Sequence, residues 1–157
     1  MTDTPPDSRC DPRDIHQLLL DVTGRALMAG DFDAFARHFT LPQQIDSFEG
    51  LLLVKDSDQL RVVFDGVCAH YRSHGVTEMV RTSTEAAYQG ADKITCTHES
   101  RLYRGETLIH APYSAFSVLV RTGDGWKVSF SQYAITDAPD LNAALAGHPV
   151  PAPTKHE

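Results

Sequence analysis

His98 is the side chain whose type and setting point most directly to chemistry. It stands in the alternating stretch Ile94-Thr95-Cys96-Thr97-His98, so Cys96 and Ser100 share its face. An imidazole titrates near neutral pH and can carry a proton to or from a bound molecule. Tyr113 and Tyr71 each supply a phenolic hydroxyl on an apolar ring, suited to holding a substrate oxygen. An imidazole and a phenol in a dry hollow suit cofactor-free acid/base work such as isomerisation, dehydration or cyclisation. His98 would then be the proton carrier, with Tyr113 or Tyr71 as the oxygen donor. The plainer alternative is a core histidine hydrogen-bonded to a neighbour. Cys96, Ser117, Phe130 and Gln132 complete the candidate ligand-binding set, although backbone groups can satisfy Ser117 and Gln132 equally well. A moderately apolar small molecule is the expected ligand, and a binding or association module without chemistry is the competing reading.

Other reactive types are explained more simply. His70 and His74 lie one helical turn apart, a metal-ligand spacing, but a site needs a third ligand and the sequence suggests none. Their place near a helix end favours positive charge, so they read as a surface pair and no metal is expected. Asp31 and Asp33 read as a cap and its first-turn neighbour. Cys10, Cys68 and Cys96 are odd in number and far apart, which fits reduced thiols better than disulfides and matches no zinc pattern. No nucleophile elbow, phosphate loop or dinucleotide fingerprint occurs, and no cofactor is expected.

The net charge of −7 and the scattering of Lys and Arg argue against nucleic acid and against anionic membrane as partners. No apolar run is long enough to span a bilayer, and the polar start lacks the apolar segment of an export signal. A cytoplasmic protein is the expectation.

The elements that must position these residues follow from local signals. Residues 1–10 read as a flexible tail. Asp11-Pro12-Arg13-Asp14 opens a helix, with Ile15, Leu18, Leu19, Val22 and Ala26 on one face and Gly30 as the stop. Asp31 caps a short Phe-rich helix that Pro42 closes. Residues 43–54 supply one or two short strands broken at Gly50. Asp56 or Ser57 caps a third helix with the stripe Leu60, Val63, Phe64, Val67 and Tyr71. After Gly75 the period becomes alternating. Four runs follow, Thr77 to Gln89, Lys93 to Arg104, Thr107 to Thr122 and Trp126 to Ile135, and the short Gly-containing breaks mark hairpins. Asp137 to Gly147 can hold one more helical turn. The expected organisation is a single domain over 11–136 and a mostly disordered C-terminal extension over 137–157.

Helices before an antiparallel sheet imply an α+β fold with helices on one sheet face. With two-residue turns at Gly105-Glu106 and Gly123-Asp124, His98 faces Tyr113, Leu119 faces Val128 and Ser117 faces Phe130. The face under the helices then carries Ile94, Cys96, His98, Ser100, Tyr113, Ser117, Leu119, Val128, Phe130 and Gln132. A one-residue slip would exchange the faces.

The Gly30-Asp31-Phe32-Asp33 entry into a helix closing at His38-Phe39-Thr40-Leu41-Pro42, the strand centred on Ile94 to His98, and the ending Leu119 to Val128 resemble the nuclear-transport-factor-2-like superfamily. The resemblance is to its polyketide-cyclase-like (SnoaL-like) and ketosteroid-isomerase-like branch, over roughly Asp14 to Ile135. It implies a cone-shaped, cystatin-like roll in which three N-terminal helices pack on a strongly curved antiparallel sheet around a pocket. It also implies homodimerisation through the outer sheet face, where Phe116, Val118, Val120 and Tyr133 are expected. The isomerase dyad does not carry over: Leu41 stands where an Asp base would precede the proline, and the first helix has no Tyr. Asp46 is the nearby carboxylate that could substitute.

Overall fold

The computed structural model describes residues 10–148; the expected tails outside that range lie beyond the described residues. Each helix starts where its capping chemistry places it. Helix α1 (Pro12–Ala29) opens on Asp11, whose carboxylate accepts from Arg13 N at 2.9 Å. It closes at Gly30, whose φ of 70° is the left-handed conformation that ends helices. Helix α2 (Phe32–Ala36) opens on Asp31, and α3 (Ser57–Ser73) on Asp56.

Strands β1 (Phe39–Ser47) and β2 (Gly50–Val54) form a hairpin. Then come β3 (Glu78–Tyr88), β4 (Lys93–Arg104), β5 (Thr107–Thr122) and β6 (Gly125–Ala134). They build one sheet in the order β2-β1-β6-β5-β4-β3. All neighbouring pairs are antiparallel except β1 with β6, which run parallel. Contrary to the expectation from sequence, Pro42 does not close the second helix, which ends at Ala36. It lies within β1, where the β1–β6 register shifts and no ladder hydrogen bond is required of it.

Helix α4 (Pro139–Leu145) corrects the expected boundary at residue 136. Its Leu141 and Leu145 belong to the main core, beside Leu60, Phe64 and Val67 of α3 and Ile45 and Val54 of the hairpin. The Asn142 side chain donates to the Ile135 carbonyl at 2.9 Å and fastens the helix to the end of β6. A second cluster, Leu19, Ile94, Cys96, Leu119 and Val128, fills the space between α1 and the middle of the sheet.

The helices cover the expected face, but two irregularities change the register. Tyr103 pairs with Leu108 and Leu102 with Ile109, as two-residue turns require. The next matched pair is then Ser100 with Tyr113, so His110, Ala111 and Pro112 of β5 stand where β4 has Arg101 alone. His98 therefore faces Ala115, not Tyr113. Parity survives this shift, and His98 and Tyr113 both remain on the inner face. In β6, Leu119 pairs with Val128 as expected, but Val118 pairs with Phe130, leaving Ser129 as a bulge. One extra residue reverses every later side chain. Phe130 and Gln132 move to the outer face, and Ser131 and Tyr133 turn inward. Among the described residues no helix is long and apolar enough to cross a membrane.

Candidate small-molecule site

A hollow opens between the sheet and helices α2, α3 and α4. Its apolar walls include Phe35, Phe39, Ile45, Val63, Leu141 and Leu145. Its polar groups are Tyr71 from α3, Arg81 from β3, Ser100 from β4, Tyr113 from β5, Gln43 from β1, and Ser131 and Tyr133 from β6. About 50 Å³ is open to the centres of water-sized molecules. That is room for a few waters, where pockets for drug-sized ligands span about 300–1,000 Å³.

The phenols are donors. Burial first, then the neighbouring Tyr113, raises Tyr71 well above the ordinary tyrosine range. Burial first, then Tyr133, raises Tyr113 as well. Both hydroxyls therefore keep their protons. The Tyr113 hydroxyl is also coupled by hydrogen bonding to Tyr71 and Ser100. Protonated phenols in the wall can donate to an oxygen on a guest.

Arg81 crosses to α1, where its Nη1 donates to the Leu20 carbonyl at 3.2 Å and to Thr23 Oγ1 at 3.0 Å. Among the described residues no carboxylate is within ion-pair distance of it. Gln43 brings the opposite polarity, since its Oε1 is buried without a hydrogen-bond partner. A buried amide oxygen without a donor is costly and calls for an occupant. The hollow thus combines a hydroxyl donor, an uncompensated guanidinium and a bare acceptor inside an apolar wall.

Of the residues singled out from sequence, Tyr71 and Tyr113 meet in this hollow. His98 does not line it. His98 is 2 % exposed, neither ring nitrogen has a partner, and its ring meets His16 edge-on at 5.7 Å. His16 Nδ1 lies 2.7 Å from Ser83 Oγ, while its Nε2 is also unpartnered. Burial, then Arg81, then His16 holds His98 well below the ordinary histidine range. Burial, then Arg81, lowers His16 to about 4. Both rings are neutral at ordinary pH.

Cys96 and Ser117 lie in the packed middle of the sheet, where Cys96 Sγ donates to the Ser117 carbonyl at 3.5 Å. Burial alone pushes the Cys96 thiol up to about 12, and it is inert. Phe130 and Gln132 are on the wrong face: Phe130 packs against Phe116 at 6.2 Å, and Gln132 donates to Asp46 at 3.0 Å. Asp46 shares that outer side and does not line the hollow, so it is not a stand-in base there. Sequence reasoning missed Arg81, Gln43, Ser131 and Tyr133. Alternation places Arg81 in step with Met79 and Ser83, which was a usable signal. The inward turn of Ser131 and Tyr133 depends on a bulge that leaves no mark in residue type.

No protein-family model matches the chain, and no curated protein matches it. Solved structures do. An NTF2-like protein with a cystatin-like fold from Novosphingobium aromaticivorans is 17% identical, with 85% of this chain and 88% of that one covered at a TM-score of 0.62. An NTF-2 like protein of unknown function from Shewanella oneidensis is 15% identical over 79% and 99% of the two chains, TM-score 0.58. A ketosteroid isomerase-like protein from Erwinia carotovora atroseptica is 13% identical over 82% and 99%, TM-score 0.57. At these identities the likeness establishes the cystatin-like fold alone.

Proposed function

From the nuclear-transport-factor-2-like, cystatin-like fold that the chain shares with these structures, we propose that it is a small-molecule pocket protein. Its ligand is compact and largely apolar, and it carries a carbonyl or carboxylate oxygen beside a hydrogen-bond donor. The observation that carries this reading is the pairing of opposite polarities in one hollow. Tyr113 and Arg81 offer hydrogen bonds or charge, and the unpartnered Gln43 Oε1 accepts one. The small volume selects a ligand of few atoms, or one that displaces the Phe35 and Leu145 side chains on entry.

A panel of small cyclic ketones, lactams and carboxylic acids, screened by thermal shift and then calorimetry, tests the proposal. Tyr113→Phe removes one hydrogen bond and should weaken a bound member by roughly tenfold, about 1–1.5 kcal/mol. Arg81→Met should discriminate further, costing acids more than ketones. A panel with no effect on Tm, or equal binding by the wild type and Tyr113→Phe, would reject the site.

A catalytic reading has one specific support. His98 is one strand step from Ser100, and both of its nitrogens are free of partners. In that reading the neutral imidazole takes a proton from a ligand whose oxygen is held by Tyr113 or Tyr71, as in cofactor-free isomerisation, dehydration or cyclisation. No carboxylate or imidazole lines the hollow itself, so this chemistry requires His98 to turn toward it. Turnover unchanged in His98→Gln would end that reading while leaving the pocket intact. Homodimerisation through the outer sheet face belongs to the same proposal, supported by the apolar row Phe116, Val118, Val120 and Phe130.

A further inference from the structure

Three histidines that are far apart in sequence meet beside the C-terminal end of α3. His70 and His74 stand one turn apart there, and His110 reaches them from the β5 irregularity. His70 Nε2 is 2.9 Å from His110 Nε2. One ring nitrogen from each of the three lies within 4.8 Å of the others. The His70 and His110 ring centroids are 5.0 Å apart with an interplanar angle of 26°. With nitrogens so much closer than centroids, the two Nε2 atoms meet at hydrogen-bond distance, one donating and the other accepting according to tautomer, and a metal ion would take the place of that shared proton.

The backbone is shaped to deliver this contact. His110 has φ 67°, alone among the described non-glycine residues in being positive. Histidine in that region is uncommon and strained. The turn is clamped by Asp137, whose carboxylate accepts from Ala111 N at 2.8 Å. His74 Nδ1 is 3.2 Å from the His70 carbonyl, so it donates there and leaves its Nε2 lone pair for a ligand role. Asp137 acts electrostatically on His110 and Asp140 on His70, and both add negative charge near the cluster. The carbonyl end of α3 does the same.

We propose that His70, His74 and His110 form a three-imidazole site for a divalent transition metal, zinc in the first place. Imidazole is a borderline ligand that suits Zn²⁺, Ni²⁺ and Cu²⁺, and three protein ligands leave a fourth position for water or an exogenous group. Zn–N bonds of about 2.0–2.1 Å in a tetrahedron set donor atoms roughly 3.3 Å apart. The 2.9 Å contact must open slightly and the widest separation must close, and side-chain rotation accomplishes both. His110 is the third ligand that the His70–His74 spacing lacked in sequence. It was hidden because only the irregularity in β5 brings it there.

The test uses the tag-free full chain, stripped with a chelator and titrated with Co²⁺ and then Zn²⁺. The expected result is one equivalent bound, visible Co²⁺ bands of tetrahedral intensity, their loss on adding Zn²⁺, and a Tm raised by several degrees. His74→Gln and His110→Asn, the latter tolerant of positive φ, should each weaken Co²⁺ at least tenfold. Together they should abolish the bands, with far-UV circular dichroism unchanged, while His38→Gln binds as wild type. Stoichiometry well below one, or equal Co²⁺ affinity in the folded double variant, overturns the site.

Discussion

His16 and His98 face the interior from α1 and β4, with Arg81 as their common cationic neighbour and, among the described residues, Ser83 as the hydroxyl bonded to His16. Their folded values lie below the unfolded value near 6.5, so between those limits the unfolded chain binds more protons. The sign is that both residues are neutral in either state above pH 6.5 and cost nothing. As pH falls toward 4 the unfolded state gains protons first, and stability drops. For His16, at about 4, the loss approaches roughly 3 kcal/mol once both limits are passed. Urea midpoints measured from pH 7.5 to 4.5 should fall steadily, and His16→Gln should flatten the curve; an unchanged slope would contradict the burial of these rings. His98→Leu isolates the second ring. Both of its nitrogens lack partners, so an apolar side chain of similar size should hold stability level or raise it by about 1 kcal/mol. A loss above 2 kcal/mol in urea melts would mean that His98 makes a hydrogen bond after all. The inward aim of His98 was legible because alternation in β4 is unbroken. Its pairing with Ala115 was not, because pairing depends on the partner strand.

The same distinction runs through the elements. Asp11, Asp31 and Asp56 could be read as caps because capping is settled within a few residues, and each accepts the expected backbone N–H. Turn lengths were likewise local, and both two-residue hairpins stand as read. Irregularities within a ladder are not local. They answer to the bend that the sheet needs in order to wrap the helices, and Ser129 looks like any other alternating residue. That single residue is why Phe130 and Gln132 were placed in the pocket and Tyr133 outside it. Helix α4 was underestimated for a related reason. Seven residues carry little periodic signal, and its value lies in contacts with α3 that sequence order does not show. Leu141 is 1 % exposed and lines the hollow. Leu141→Ala should cost about 2–5 kcal/mol in chemical denaturation and enlarge the hollow. Larger members of the ligand panel should then bind more tightly relative to smaller ones. A cost below 1 kcal/mol would show that α4 is peripheral to the core.

At the scale of the whole molecule, the sheet has two faces with separate work. The inner face is consumed by helices and the hollow. The outer face carries Phe116 packed on Phe130, with Val118 and Val120 partly exposed beside them. Beyond them, the β1–β2 hairpin exposes Phe48 at 65 % and Leu51 at 62 %. Apolar surface gathered on one side of a sheet is costly in water and suits a second copy. A net charge of −7 opposes association over long range, so a dimer must gain its stability from apolar contact at short range, and salt should tighten it. Sedimentation at 50 and 300 mM NaCl should show twice the chain mass, with the tighter dimer at higher salt. Phe116→Glu places a charge at the centre of that face and should raise the dimer Kd by about 100-fold, near 3 kcal/mol. Since Phe116 points away from Tyr113 and Arg81, the monomerised variant should keep the ligand affinity of the wild type in calorimetry. A variant that stayed dimeric would move the interface off this face. One that lost dimer and ligand together would mean that the outer face and the hollow are coupled through β5, the strand that lends side chains to both.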